Sequence, residues 1–363
     1  MRRWIPTLMG LARDRLGLPA GPVDRLRPEE LNAVLPALHR LSGGLGGGRG
    51  KAGAVYLDEA RLEAAYLLHF WPISYAMAAA VLAEGWLPKG ARALELGCGP
   101  GPLTAALLDA GAASVLAVDH SAKALQTVGA LLPAARVSTL RWEAESGAPL
   151  PEGPYDLLAM SHFINELWKR EPDRLARRAA FLGGLAGRLA PGGRLLIIEP
   201  AAHALNADLL GLRDRLLRDG WRVEAPCFFQ GPCPALALGA ACHAEATTPL
   251  PPHARQLLTA AHIDRARPGF GWLLLRAPGG EAPAPEAGAV RILSEAMVNK
   301  AGRVRRVACG AVGRMTLSAP AAGSEPWRAD WQGLRRGERL VVEGAELRER
   351  GLGLQPTSRL RRG

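Results

Sequence analysis

Three cysteines, Cys227, Cys233 and Cys242, fall within sixteen residues of the stretch PCFFQGPCPALALGAACH. Thiols grouped in a loop rich in proline and glycine do one of two things: they pack as small buried hydrophobes, or they lose their protons to a metal that orders the loop. The C-x5-C-x8-C spacing is too open for a zinc finger or ribbon, which takes tight C-x2–4-C pairs. A metal would need a fourth ligand from elsewhere, and His243, His253, His262 and Cys309 are available. Four thiolates suit a 4Fe-4S iron–sulfur cluster, and zinc is the alternative occupant. Five cysteines is an odd count, and no secretion signal accompanies them, so reduced thiols are expected rather than a disulfide framework.

A second constellation lies in LELGCGPGPLTAALL. Gly97, Gly99 and Gly101 allow a tight turn that brings backbone close to a ligand, Pro100 stands inside the turn, and the helix that follows offers unpaired N–H groups. Asp119 closes the next predicted strand, 22 positions after Gly97, where an acid accepts both hydroxyls of a ribose. His120 and Ser161 join these residues as candidate cofactor contacts. A dinucleotide site takes G-x-G-x-x-G with a diphosphate on the helix. Here Glu95 stands two residues before the first glycine, in the form E-x-G-x-G-x-G. That form resembles the motif of class I S-adenosylmethionine (SAM) methyltransferases, which bind no phosphate there and use the acid to help hold the methionine amine. The segment YDLLAMSHFINELW then occupies the place where such enzymes put substrate-facing residues. His162, Asn165 and Glu166 are the catalytic candidates. Methyl transfer asks for proximity, an in-line sulfonium and sometimes a base. The N/D-P-P-Y signature of base-amine methylation is absent, as is a cysteine nucleophile just after the fourth strand.

These residues need a scaffold. Helical periodicity is predicted through residues 1–85, in RPEELNAVLPALHRL and LEAAYLLHFWPISYAMAAAVLAEG. No uninterrupted apolar run of membrane-spanning length is read there. Between the two lies SGGLGGGRGKAGA, Ser42 to Ala54, expected as a glycine-rich linker in which Arg49 and Lys51 could touch phosphate. From about residue 86 to 278 strands and helices alternate: ARALELG, SVLAVD, RVSTLRWEA, YDLLAMSHF, RLLIIEP, WRVEAP and FGWLLLRA as strands. DRLARRAAFLGGLAGRLAPGG is one long helix with a glycine stop. This alternation predicts an α/β fold, a parallel, doubly wound, Rossmann-like sheet, with a cysteine-rich insertion over 226–262. GGEAPAPEAGA is a linker. Residues 289–363 then read as a small β-rich module, a partial barrel.

The net charge is +11, and from Arg291 onward fifteen Lys/Arg stand against seven Asp/Glu, so this last stretch carries +8 of it. Such a field favours polyanionic partners. Arginine clusters at 303–306, 335–339 and 359–362 alternate with Trp327 and Trp331, the mixture that RNA binding uses for charge and stacking.

Taken together, LELGCGPG, SHFINEL followed by LLIIEP, the spaced cysteines ending in Cys242-His243, and the late VRRVACGAVG resemble one family from about Tyr56 onward. It is the methyltransferase-like assembly factor of mitochondrial small ribosomal subunits, with bacterial relatives named small-subunit rRNA methyltransferases. The resemblance implies SAM binding, a 4Fe-4S cluster on Cys227, Cys233, Cys242 and Cys309, and action on the small ribosomal subunit or its rRNA. It leaves Cys98 to the glycine loop. A monomer without membrane attachment is expected, cytoplasmic in a bacterium or in the mitochondrial matrix of a eukaryote.

Overall fold

A computed structural model describes residues 1–45, 57, 59–263, 267–300, 302–349 and 351–363. The chain divides into two compact units, residues 1–167 with 246–268, and residues 168–245 with 269–363.

The first unit opens with helices α1 (Ile5–Leu16), α2 (Pro28–Leu45), α3 (Ala60–Ala65) and α4 (Trp71–Leu82), the last two joined by a π-helical turn, Tyr66–Phe70. Residues 42–45 complete α2 rather than starting a linker, and the rest of the glycine-rich segment, with Arg49 and Lys51, lies outside the described residues. One continuous helix, Ala60–Leu82, is long and apolar enough by length and composition to cross a membrane, though polar residues such as His69 and Ser74 interrupt it. Its surface is spent inside the protein: 78% of its most apolar window is buried, as befits a core helix apolar on all sides.

Strands β1 (Arg92–Leu96), β2 (Ser114–Asp119), β3 (Val137–Arg141) and β4 (Tyr155–Ser161) form a parallel sheet in the order β3-β2-β1-β4. Helices α5 (Pro102–Asp109) and α6 (Ala122–Leu131) make the crossovers. The register sets Leu96 beside Val118 on one side and Met160 on the other, so β1, β2 and β4 end at the same edge.

The second unit begins with α7 (Arg174–Leu185), β5 (Leu189–Pro200), α8 (His203–Arg218), β6 (Arg222–Ala225), the short α9 (Pro234–Ala237) and β7 (Ala244–Glu245). The helix predicted to run through APGG stops at Leu185, because proline lacks the N–H that a helix needs and glycine is a weak helix former, and β5 takes these residues. The chain returns to the first unit for α10 (Pro252–Ala260), then re-enters the second for β8 (Gly269–Arg276). Here the expectation of an all-parallel sheet is corrected: β8 runs antiparallel to both β5 and β6. Parallel pairing needs a crossover helix, and antiparallel pairing does not. The segment between β6 and β8 is occupied by the cysteine loop and by α10.

A second sheet follows, built from β9 (Ala289–Ile292), β10 (Met297–Val298), β11 (Arg303–Gly310), β12 (Gly313–Pro320), β13 (Arg339–Glu343), β14 (Glu346–Arg348), β15 (Gly351–Gly353) and β16 (Arg359–Arg362), with helix α11 (Arg328–Gly333). The strand order is β14-β15-β12-β11-β9-β13-β16, with β10 beside β11. Trp327 and Trp331 do not face solvent between the arginines. Both are buried in this sheet's core with Leu317, Leu340 and Ile292, because an indole there removes more apolar area from water than it could at the surface. Arg306 is also buried, donating to the Trp331 and Gln332 carbonyls. Arg305, Arg335, Arg359, Arg361 and Arg362 remain exposed. The chain thus has a Rossmann-like α/β core, preceded by helices and followed by a separate β-rich sheet.

Candidate functional site

In the first unit the turn after β1 requires glycine three times. Gly97, Gly99 and Gly101 have φ of +68°, +51° and +80°, values that cost side-chain-bearing residues about 1–2 kcal/mol each. Gly97 is also sterically obligatory, since an added Cβ would stand 2.1 Å from the ring of Phe163. Asp119 fixes the turn from the end of β2: its carboxylate accepts the Gly99 N–H at 2.8 Å and the Ser121 N–H at 2.8 Å. Each oxygen still has acceptor capacity for a ligand hydroxyl. The exposed His120 places its Nδ1 3.4 Å from the same carboxylate.

Glu95 sits beneath the turn, buried, with the Thr104 hydroxyl donating to it from α5. Burial pushes its carboxyl up to about 8, Thr104 pulls the other way, and the charge of Asp119 adds to the rise. A carboxyl so placed holds its proton until a cation arrives to share the site.

Ser161 ends β4, and His162 follows in the left-handed region at φ +55°. A non-glycine residue there stores strain of the order of 1 kcal/mol or more, which surrounding structure must hold. Its buried Nε2 makes no hydrogen bond among the described residues, and burial lowers the imidazole to about 4. The ring is therefore neutral near pH 7, an acceptor or donor rather than a cation. Phe163, next in sequence, is the residue over Gly97. The structure thus brings the Ser161–Phe163 segment onto the glycine turn, with Asn165 buried and Glu166 exposed just beyond.

Two further residues of this site went unread in the sequence. The Trp71 indole donates to the Pro100 carbonyl at 3.0 Å. The Tyr66 hydroxyl lies 3.9 Å from where a Cβ on Gly99 would be, its phenol held protonated by burial and by the nearby Asp119 and Glu95. Tyr66 belongs to the π-helical turn, a distortion frequent at functional sites. A helical pattern hides this signal, because apolar periodicity reports burial and not the partner.

The second constellation lies wholly in the second unit. Cys227, Cys233, Cys242 and Cys309 line one pocket. Cys309 comes from β11, the other three from the loop after β6. Helix α8 positions that loop from one face. Asn206 pins Cys242 twice, donating to its carbonyl at 2.8 Å and accepting its N–H at 2.9 Å. Asp214 accepts the Cys233 N–H at 2.9 Å, and Arg213 donates to the Gly231 and Phe229 carbonyls. Positions 206, 210 and 213 recur at helical spacing, and Leu210 packs against Cys233. Burial raises the Cys227, Cys242 and Cys309 thiols, and their mutual proximity raises them further; Cys309 is pushed up to about 12.

Of the other ligand candidates, His253 and His262 lie in the first unit, away from this pocket's lining. His243 lines an adjoining cavity that shares Cys227 and Cys242, with its Nδ1 buried and without a hydrogen bond among the described residues. Cys98 is buried in the glycine turn. No three ligating side chains among the described residues converge as they would on a single ion. Four thiols on one pocket are the donor set that an iron–sulfur cluster takes.

Residues 93–193 match the family described as "Methyltransferase domain". The chain is 33% identical over 144 residues to the ribosomal protein L11 methyltransferase of Bordetella parapertussis, a match covering 38% of this chain and 42% of that protein. It is 33% identical over 189 residues to the trans-aconitate 2-methyltransferase of Azoarcus sp., covering 49% of this chain and 62% of that one. The chain therefore spans about half the length of these curated relatives. The solved structure of a ribosomal protein L11 methylase from Lactobacillus delbrueckii subsp. bulgaricus aligns at a TM-score of 0.34 with 15% identity, over 55% of this chain and 77% of that one. Residues 93–193, which hold the three left-handed glycines ahead of α5 and the acids Glu95 and Asp119, are thus similar to a methyltransferase domain.

Proposed function

We propose that the protein is a SAM-dependent methyltransferase of the small ribosomal subunit, directed to its rRNA during assembly, in which Cys227, Cys233, Cys242 and Cys309 hold a 4Fe-4S cluster. The observation that carries this reading is the position of Cys309. It is presented by the arginine-rich second sheet, yet it lines the same pocket as the three loop cysteines. One inorganic group there would tie the cysteine loop to the sheet whose exposed arginines suit a phosphate backbone. Cytoplasmic action, as a monomer, goes with this reading.

SAM supplies an electrophilic sulfonium methyl group. The glycine turn would receive its methionine portion, Asp119 its ribose and Glu95 its ammonium. Ser161 and His162 would face the acceptor. A neutral imidazole suits the acceptance of a proton from an incoming nucleophile, and Asn165 and Glu166 stand close behind it in sequence.

Glu95 makes the binding step pH-dependent in a stated direction. Its folded-state value, about 8 against the ordinary 4.5, means that the ligand-free protein keeps a proton that the unfolded chain loses. Ligand-free stability therefore falls as pH rises between these values. An arriving ammonium expels that proton, so SAM affinity is expected to tighten by up to about tenfold per pH unit below 8. Calorimetry in buffers of differing ionisation heat reads the released proton, and Glu95→Gln is expected to flatten both profiles. A pH-independent affinity in the parent chain would remove this role for Glu95.

The function is tested by methyl incorporation from labelled SAM into small-subunit particles, naked small-subunit rRNA, ribosomal protein L11 and trans-aconitate. The last two are the substrates named for the relatives. Incorporation into rRNA, with co-sedimentation that weakens steeply with salt, is the expected result. Labelling of L11 or trans-aconitate alone would replace the rRNA reading. Salt-sensitive binding to the particle without labelling would leave a non-catalytic assembly factor.

A further inference from the structure

The pocket that holds the four thiols is walled by cations. Arg213, Arg291 and Arg314 line it together with the cysteines, and no carboxylate is among its lining residues. Strand register explains two of them. On one face of the second sheet Cys309 is directly paired with Arg314 on β12 and with Arg291 on β9. Directly opposed side chains on an antiparallel ladder stand about 5 Å apart at Cβ. The third arrives from α8: Arg213 is 1% exposed.

The hydrogen-bonding groups of Arg213 and Arg314 are only partly used. Arg291 donates to the Pro226 and Gly337 carbonyls and lies between the rings of Phe228 and Trp272. Arg213 gives both terminal nitrogens to Asp214 and to the Phe229 and Gly231 carbonyls, and its guanidinium already reaches the Cys227 thiol, opposing the rise that burial causes there; its Nε is buried without an oxygen or nitrogen acceptor among the described residues. Arg314 has Nη1 in the same condition. A buried charged donor without an acceptor costs more than a hydrogen bond contributes. Beside the Pro226 and Phe229 carbonyls, which already accept from Arg291 and Arg213, the acceptors that the lining offers are the sulfurs, and a neutral thiol is a poor acceptor where a thiolate is a good one.

We propose that Arg213 and Arg314 balance the charge of a thiolate-ligated anionic group in this pocket, donating Nε and Nη1 toward its sulfur shell, and that they thereby set its retention and its one-electron reduction potential. They are positioning residues, acting on the group through its ligands. The inference rests on the cluster reading above. A 4Fe-4S centre with four thiolates is a net anion that gains a further negative charge on reduction. Nearby guanidinium groups stabilise the reduced form more than the oxidised one and raise the potential. The couple moves one electron, supplied in a titration by dithionite, and no bond is made or broken.

The test uses full-length protein purified anaerobically, with iron and sulfide measured first. The parent chain, Arg314→Gln and Arg314→Lys are then titrated with dithionite and followed by electron paramagnetic resonance, and release of iron to a chelator is timed. At a fixed potential Arg314→Gln is expected to lower the reduced-to-oxidised ratio about tenfold, which is 59 mV for one electron, and to release iron faster. Arg314→Lys, which keeps the charge, recovers most of both. Failure of the glutamine variant to assemble a cluster that the lysine variant assembles also supports the role. Arg213→Gln and Arg213→Lys form a second pair; they are read in the same way if the loop that Arg213 braces still folds. A glutamine variant with normal iron, parental potential and parental release overturns the inference alone. So does equal failure of the glutamine and lysine variants. A parent chain without iron and sulfide overturns the cluster reading beneath it.

Discussion

Gly97→Ala is expected to weaken SAM binding by at least about 100-fold, some 2.7 kcal/mol, in a chain that remains folded by circular dichroism. Two costs combine. Alanine at φ +68° is disfavoured by about 1–2 kcal/mol. The new Cβ would also lie 2.1 Å from Cδ2, 2.7 Å from Cγ and 3.0 Å from Cβ of Phe163. Contact that close to the root of the side chain is not relieved by moving the far end of the ring, so the turn itself must shift. That shift carries the Gly99 N–H away from Asp119 and spoils the surface on which the ligand would rest. Calorimetric titration separates the two costs. Phe163→Ala combined with Gly97→Ala removes the two closest contacts but keeps the 3.0 Å approach to Cβ of residue 163 and the backbone cost, so the double variant is expected to recover part of the loss. Parental affinity in Gly97→Ala would contradict the placement of the ligand on this turn.

On the proposed cluster reading, Cys309→Ala is expected to lose at least half of the bound iron, together with most of the absorbance near ~400 nm that an iron–sulfur centre carries. Losing one of four thiolates opens the group to solvent. It also cuts the tie between the loop after β6 and β11, so backbone amides of β11 and β12 are expected to exchange faster with solvent. Binding to small-subunit particles should weaken with them. Cys98→Ala is the matched control: it removes a buried thiol from the first unit and should leave iron unchanged. Full iron content in Cys309→Ala would exclude residue 309 as a ligand.

The turn after β1 could be read from sequence because its demands are local. Positive φ selects glycine, and the acids at 95 and 119 follow from strand ends that converge at one sheet edge. The cysteines could be read as a group because thiols are rare and their spacing is conspicuous; what spacing alone left open was the fourth ligand. Other features were set by tertiary packing and left no local mark. Trp327 and Trp331 read as stacking surface among arginines and are instead the core of the second sheet. The antiparallel direction of β8 depends on what fills the chain before it. Tyr66 and Trp71 sit in an apolar helix whose periodicity says that it is buried, without saying that it is buried against the glycine turn. Asn206, Arg213 and Asp214 look like the polar face of an ordinary helix, and only the fold turns that face toward the cysteine loop.

The claim on which the account turns is that four sulfur atoms, three from one loop and one from the arginine-rich sheet, share a single inorganic group. Anaerobic purification followed by iron, acid-labile sulfide and zinc analysis tests it most directly. The account expects a brown protein with about four iron and four sulfide per chain and little zinc. Stoichiometric zinc without sulfide, or a colourless chain free of metal, would contradict it.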